Sequence, residues 1–460
     1  MTRYFIDRKE ELQSLKKTTR NNNSFVVVYG RRRIGKTTLL QEFLKNKKHF
    51  FYVFADAHKK DQLRDFKEQL ANHLDDNTLK ETDFNDWKGI FRYLQKTLDK
   101  KKQTFFWFDE ISYAIKNDKT VPSALQEFID HFLRQSQTHL FISGSLLSVI
   151  LEQVLAEKSP LYGRRTQELF LEEIPFEYTK EFFRNNISFE EFFKIYLTIG
   201  GVPEYLTIAK NYGTHQLFVE EEFLRKEGYF YRELPFLLSS DFKEIRTYFS
   251  LLKAIAHRKT KPNKISNYAG IEQKSLHFYL DVLAQFGFII RENPHDRPKE
   301  GMYLIKDPFI DAWFNFSDKN RTMIERTKAT YQKSVVQEHL GKRFEQFIRN
   351  NLHKFIKEEF IFVSTWWYGA EEIDVFAQTN TGTTYLGECK YQEKVDAKVL
   401  AQELLKKRQE IKKLEQQKIK LVLFAKSFKR KISCIEDTPV LCFSLEDIKQ
   451  LIKKRLKEFA

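Results

Sequence analysis

Apolar positions along this chain follow two rhythms. The first third alternates short continuous apolar runs with amphipathic stretches. SFVVVY (24–29), HFFYVFAD (49–56), FFWFD (105–109) and HLFISGS (139–145) read as strands buried on both faces. Helices are predicted between them at 36–46, 60–76, 87–100 and 122–136. Strands alternating with helices predict an α/β unit whose parallel sheet is covered on both sides.

After about residue 175 amphipathic helix dominates. Three helices, at 243–257, 262–269 and 273–286, precede two short strand-like pieces, GFIIRE (287–292) and MYLIK (302–306), which is the pattern of a winged helix. A second α/β pattern opens near 336. It has a helix at 336–357, strands near 361–367, 372–378 and 383–391, a charged helix at 396–416 and a strand at 419–424. With 460 residues and ~150 per domain, two to four domains are expected.

The first strand runs into Gly30-Arg31-Arg32-Arg33-Ile34-Gly35-Lys36-Thr37, which fits G-x-x-x-x-G-K-T between a strand and a helix. Backbone N–H groups of such a loop wrap phosphates, and the helix N-terminus adds its dipole. Lys36 is expected at the β/γ-phosphates of ATP, Thr37 at Mg²⁺, and Thr38 beside them. Arg31, Arg32 and Arg33 would ring the nucleotide or a partner. The third strand ends in Asp109-Glu110, where Asp109 would hold Mg²⁺ through water and Glu110 would polarise the attacking water. Ser143-Gly144-Ser145 ends the fourth strand. Ser143 either touches the γ-phosphate or sits in a turn that Ser145 caps. Arg164 and Arg165 offer an arginine finger, in cis or from a neighbouring copy, or else a surface ion pair.

A second cluster lies near the C-terminus. EEIDVFA (371–377) and YLGECK (385–390) flank a turn at Asn380–Gly382. Counting outward from Thr381, Asp374 and Glu388 are each seven residues away, so they meet across the hairpin on one face. Lys390 shares that face and Cys389 points away. Asp374, Glu388 and the Cys389 carbonyl could bind Mg²⁺ while Lys390 steers a water. The rival reading is a solvated strand face.

GRRRIGKT, FFWFDE, SGS and SPLYGRRTQELFLEEIPF together resemble a prokaryotic ATPase family, common in archaea and some bacteria, of the AAA+/STAND-like branch of P-loop NTPases. FIDRKEEL (5–12) looks like the family's box ahead of the P-loop, and GGVPEY (200–205) like its GG-x-P segment. The resemblance implies an ASCE-type ATPase core over 1–175 and a helical lid over 176–240. A winged helix over 241–310 follows, then a connecting segment and a restriction-endonuclease-like PD-(D/E)xK domain over 311–460. It also implies that Pro203 contacts adenine. Glu345 would be the extra acidic metal residue on the first helix of the nuclease-like domain, and Asp374/Glu388/Lys390 would hydrolyse phosphodiesters.

Charge adds an anionic partner. Lys plus Arg number 78 against 63 Asp plus Glu, a net of +15, and residues 391–460 hold 18 basic against 10 acidic side chains, so about half the surplus flanks the carboxylate hairpin. Lys274, Ser275 and His277 near the start of the third helix would meet nucleic acid, as would Arg258, Lys259, Lys261 and Lys264 before it and Arg291, His295, Arg297 and Lys299 in the wing. The contacts suit the DNA backbone with little base preference. Three cysteines, Cys389, Cys434 and Cys442, give neither a disulfide framework nor zinc spacing. With no signal-like start and no run of about 18 apolar residues, a cytoplasmic protein without membrane spans is expected. A finger acting in trans would require a homo-oligomer. The function read from these features is an ATP-hydrolysing, DNA-acting protein with a metal-dependent nuclease-like domain. The rivals are a signalling NTPase switch and a DNA-binding ATPase whose nuclease fold is inactive.

Overall fold

The computed structural model describes residues 5–183, 187–294, 300–327, 329–368, 371–409, 411 and 418–450. The chain forms two compact units. The first gathers Met1–Ile174 with two later segments, Val202–Glu204 and Ser239–Lys243; the second holds Pro175–Gly201, Tyr205–Leu238 and Glu244–Ala460.

Five parallel strands organise the first unit: β1 (Ser24–Tyr29), β2 (His49–Val53), β3 (Thr104–Asp109), β4 (Thr138–Gly144) and β5 (Gln167–Phe170). Their order is β2-β3-β4-β1-β5, so β4 separates the P-loop strand from the acidic strand. Four of the five are the apolar runs. The fifth, QELF, alternates half-buried and exposed positions at the sheet edge, a pattern too short and polar to announce itself. Aromatic rings lock the sheet to its helices. Phe66 meets Trp87 and Phe108 edge-on with centroids 5.3 and 5.4 Å apart, and all three are buried. Each such ring contributes about 1.5–3 kcal/mol of burial, which makes the sheet a firm platform for the loops at its C-terminal edge. Two of the helices begin where an aspartate satisfies a free N–H group. Asp86 Oδ1, for example, accepts from the Gly89 N–H at 2.8 Å ahead of helix Trp87–Thr97.

In the second unit, helices Ile245–Ala256, Pro262–Ala269 and Gln273–Gln285 precede an antiparallel pair, β6 (Ile289–Glu292) and β7 (Met302–Ile305). A 23-residue helix, Lys333–Phe355, begins three residues earlier than its apolar spacing indicates. Then come β8 (Phe360–Tyr368), β9 (Glu371–Thr379), β10 (Thr383–Lys390), β11 (Val395–Asp396), helix Ala397–Gln409, β12 (Lys418–Ala425), β13 (Phe428–Arg430), β14 (Cys434–Ile435) and β15 (Thr438–Phe443). The main sheet runs β14-β15-β12-β10-β9-β8. It is antiparallel from β8 to β10, and parallel where β12 joins β10 and β15. The β9–β10 register places Leu386 opposite Phe376 and Gly387 opposite Val375. Gly382 closes the turn at φ +81° and donates its N–H to the Thr379 carbonyl at 3.1 Å, a backbone that L side chains adopt only with strain. The charged helix expected to reach 416 is described to Gln409; residues 410 and 412–417 lie outside the described residues. β14 and β15 escaped the pattern because they are short and interrupted by Pro439.

Candidate functional site

The P-loop is built as its spacing requires. Gly30 has φ +151°, and a Cβ there would lie 2.7 Å from the Leu171 carbonyl oxygen, so only glycine fits. Gly35, at φ +95°, starts helix Lys36–Leu44. Lys36 is buried, and its ammonium donates to the carbonyls of Gly30 at 2.9 Å and Arg31 at 3.1 Å. Burial lowers its pKa, and the charges of Glu110, Asp109 and Asp241 oppose that shift. Thr37 Oγ1 donates to Asp109 Oδ2 at 2.9 Å, and Ser143 Oγ donates to Asp109 Oδ1 at 2.5 Å. Ser143 also accepts from Trp107 Nε1 at 2.9 Å. Ser143 therefore orients the acidic strand's carboxylate and is itself buried. Burial pushes the Asp109 carboxyl above its usual range.

Glu110 sits at φ +53°, in the left-handed region that costs a non-glycine residue energy and clusters at functional sites. Ser145 holds its carboxylate twice: the N–H donates to Glu110 Oε2 at 2.9 Å and Oγ donates to the same oxygen at 2.7 Å. Ser145 is thus a positioning residue for Glu110 and not a helix cap. The three arginines after Gly30 fan outward. Arg31 reaches Glu173 at 3.4 Å, Arg32 donates to Ser240 Oγ at 3.3 Å, and Arg33 lies 3.6 Å from Glu204. Pro203 Cγ stands 3.9 Å from where Gly35 would carry a Cβ, and Ile34 is buried beneath the loop. The Thr37–Asp109 oxygen pair beside a helix N-terminus fits Mg²⁺, which takes one or two protein oxygens and keeps phosphates and water for the rest.

The second cluster sits on β9 and β10. Asp374 is one residue beyond the Val375–Gly387 pair and so faces Glu388. Both are buried. Asp374 Oδ2 accepts from the Cys389 N–H at 2.7 Å. Glu388 Oε1 pairs with Lys390 at 2.7 Å and Oε2 with Lys407, from helix Ala397–Gln409, at 3.1 Å. Lys407 also donates to the Glu372 carbonyl at 2.6 Å, and Arg349 donates to the Asp374 carbonyl at 3.0 Å. Burial, then the charge of Glu388, holds the Asp374 carboxyl well above the usual range; burial, then Asp374, does the same to Glu345. The four-residue metal set expected from sequence is not gathered as a cage. Among the described residues no three His, Cys, Asp or Glu side chains are grouped to hold a metal, and a backbone N–H and two lysines occupy oxygens of Asp374 and Glu388. The two facing carboxylates still suit Mg²⁺, which binds through as few as one or two carboxylates.

Comparison with known proteins places both regions. Residues 5–208 match a model described as an ATPase domain predominantly from Archaea, and residues 313–419 one described as archaeal and bacterial proteins of unknown function. An uncharacterized protein of Methanocaldococcus jannaschii is 34% identical over 384 residues, 81% of this chain and 84% of that one. The chain belongs to this archaeal-type ATPase family. An uncharacterized ATP-binding protein of the same organism is 51% identical over 45 residues, 10% of this chain and 76% of that protein. A Walker-type ATPase of Pyrococcus abyssi shares the fold, with TM-score 0.50 and 19% identity over 67% of this chain and 96% of that one.

In this archaeal-type ATPase, Arg164 and Arg165 adopt the ion-pair arrangement. Arg164 binds both oxygens of Asp130 at 2.8–3.0 Å, and Arg165 pairs with Glu168 at 2.6 Å. Both guanidiniums are ion-paired within their own unit. Lys274, Ser275 and His277 are exposed on helix Gln273–Gln285, as is Arg291 on β6. Phe278, on the same helix, is 64% exposed. His295, Arg297 and Lys299 lie outside the described residues. Among the described residues no helix is long and apolar enough to cross a membrane.

Sequence reading missed four residues at these sites. Arg8, buried, donates to the carbonyls of Ile34 at 3.3 Å and Glu172 at 2.5 Å, so the RKEEL box clamps the P-loop from behind. Asp241 accepts from the Leu147 N–H at 3.3 Å. Burial raises its pKa to about 7, with Lys36, Arg32 and Arg31 pulling the other way. Lys407 and Arg349 complete the carboxylate cluster. Only the RKEEL box carried a signal; the other three come from helices or segments remote in sequence.

Proposed function

We propose that this chain is an ATP-hydrolysing protein that acts on nucleic acid, and that nucleotide turnover gates a metal-dependent phosphodiesterase site on β9 and β10. The observation that carries the reading is the alignment of buried Asp374 and Glu388 with partly exposed Lys390 on one sheet face, in the same chain as a P-loop with its acidic strand intact. Gly30 to Thr38 would hold ATP, with Pro203 against the loop. Thr37, and Asp109 through water, would hold Mg²⁺, which neutralises phosphate charge. Glu110, fixed by Ser145, would take the proton of the attacking water. In the second unit Asp374 and Glu388 would hold Mg²⁺, with Glu345 near and Lys390 orienting the nucleophile. The three helices and the β6–β7 pair have the order of a winged helix. Its exposed Lys274 and His277 suit a DNA backbone, with little sequence preference.

A specific observation favours a second reading. Both Glu388 oxygens are satisfied by lysines, as they would be in a nuclease-like fold that only binds DNA. Incubation of the purified chain with single- and double-stranded DNA and RNA, ATP and Mg²⁺ or Mn²⁺ decides between them. Cleavage that Asp374→Ala abolishes, while ATP turnover persists and Lys36→Ala alone removes that turnover, is the expected result. No cutting under any combination sinks the nuclease reading.

A further inference from the structure

We infer that the cleft over Asp374 and Glu388 takes a single strand of nucleic acid and excludes a duplex. This rests on the phosphodiesterase reading and adds the form of the substrate. The two carboxylates are 7% and 5% exposed and line a cleft of about 820 Å³. The long helix Lys333–Phe355 supplies one wall, and the three-helix and hairpin element supplies another through Arg258, Thr260 and Met302. These walls are fastened together. Arg343 donates to the carbonyls of Ile305 at 3.1 Å and Lys306 at 2.8 Å. Arg349, one helical stretch further on, reaches Glu292 of β6 at 3.5 Å as well as the Asp374 carbonyl.

A duplex is stiff over many base pairs and carries its phosphates on the outside of a rod. A rod of that stiffness does not fold into a cleft of about 820 Å³ to reach carboxylates that are almost wholly buried. An unpaired strand, with free backbone torsions, can be laid in, much as enzymes that act on buried atoms of a nucleotide take it out of the duplex. The cleft offers cations to the strand's phosphates. Arg258, Lys319 and Lys342 line the cleft together with Asp311 and Glu338, and Arg258 and Lys342 both pair with Glu338. Lys390 and Lys407 stand at the carboxylates. No Phe, Tyr or Trp lines the cleft among the described residues, so the strand would be held by its phosphates and not by base stacking.

The test is binding of a short labelled single strand, and of its blunt duplex, to the full chain in EDTA, read by fluorescence anisotropy over a range of salt. Lys319→Ala/Lys342→Ala is expected to weaken single-strand binding about tenfold and to flatten the log–log salt slope by about 1.4, two contacts at ~0.7 each. Duplex binding and ATP turnover should stay unchanged, and arginine at both positions should restore the strand affinity. An equal loss for the duplex, or no loss for the single strand, overturns the proposal. Because EDTA prevents cutting, lysine-dependent strand binding without any cleavage in Mg²⁺ would refute the nuclease reading alone.

Discussion

The nucleotide site and the carboxylate site solve the same problem, burying charge, in opposite ways. At the P-loop a buried cation, Lys36, is held by backbone carbonyls of its own loop. The site is assembled within about eight consecutive residues plus two strand ends. At β9 and β10 the buried anions depend partly on groups brought from afar: Lys407, from a later helix, reaches Glu388, and Arg349, from an earlier one, ties down the Asp374 backbone carbonyl while the Asp374 carboxylate accepts from the Cys389 N–H. A site made of one loop survives as a motif. A site made by register and helix docking exists only once the sheet is formed.

The largest effect expected from this contrast is at Glu110, because the left-handed backbone and Ser145 aim it and nothing else replaces it. Glu110→Gln should lower ATP turnover by about 10²–10⁴-fold, in the range of a lost general base. Nucleotide affinity, measured by equilibrium binding, should be retained; a variant that turns over normally would remove Glu110 from the chemistry. A middle-sized effect belongs to Lys407. Lys407→Met leaves Glu388 Oε2 buried without its donor and should cost about 1–3 kcal/mol in denaturant unfolding. Mg²⁺ should recover more of that stability in the variant than it adds to the wild type, since the cation then replaces the lost charge; a Mg²⁺ response equal in the two proteins would mean that the ion does not reach Glu388.

The smallest effect, and the one that sharpens the comparison most, is at Asp241. Its carboxyl, remote in sequence from the P-loop, has its pKa raised to about 7. Above that pH it is charged beside the phosphate lysine, so ATP affinity should fall as pH rises from 6 to 8. Asp241→Asn should bind several-fold tighter at pH 8 and show a flat profile across the same window. An unchanged slope would place Asp241 outside the reach of the phosphates.

How much of this was legible in the sequence follows the same division. The first four strands, the P-loop and Asp109-Glu110 could be read because each is a continuous run with one meaning. Counting outward from Thr381 placed Asp374 opposite Glu388, because a tight hairpin fixes register by its turn. What could not be read depended on distance along the chain. Ser143 and Ser145 lie two residues apart, yet one serves Asp109 and the other Glu110, a split set by where β4 lies relative to β3. Arg164 pairs with Asp130, 34 residues away, a tie that no local spacing announces. Lys407 sits in a helix whose composition marks only a charged surface.

One topological fact has consequences for dissecting the molecule. The nucleotide unit is threaded three times, by Met1–Ile174, Val202–Glu204 and Ser239–Lys243. A fragment ending at Ile174 would carry the P-loop and Asp109-Glu110 and lack Pro203, the Glu204 partner of Arg33, the Ser240 partner of Arg32, and Asp241. It would be a phosphate loop without its clasp. The two halves are therefore not modules that a single cut, or a single recombination event, can trade between proteins.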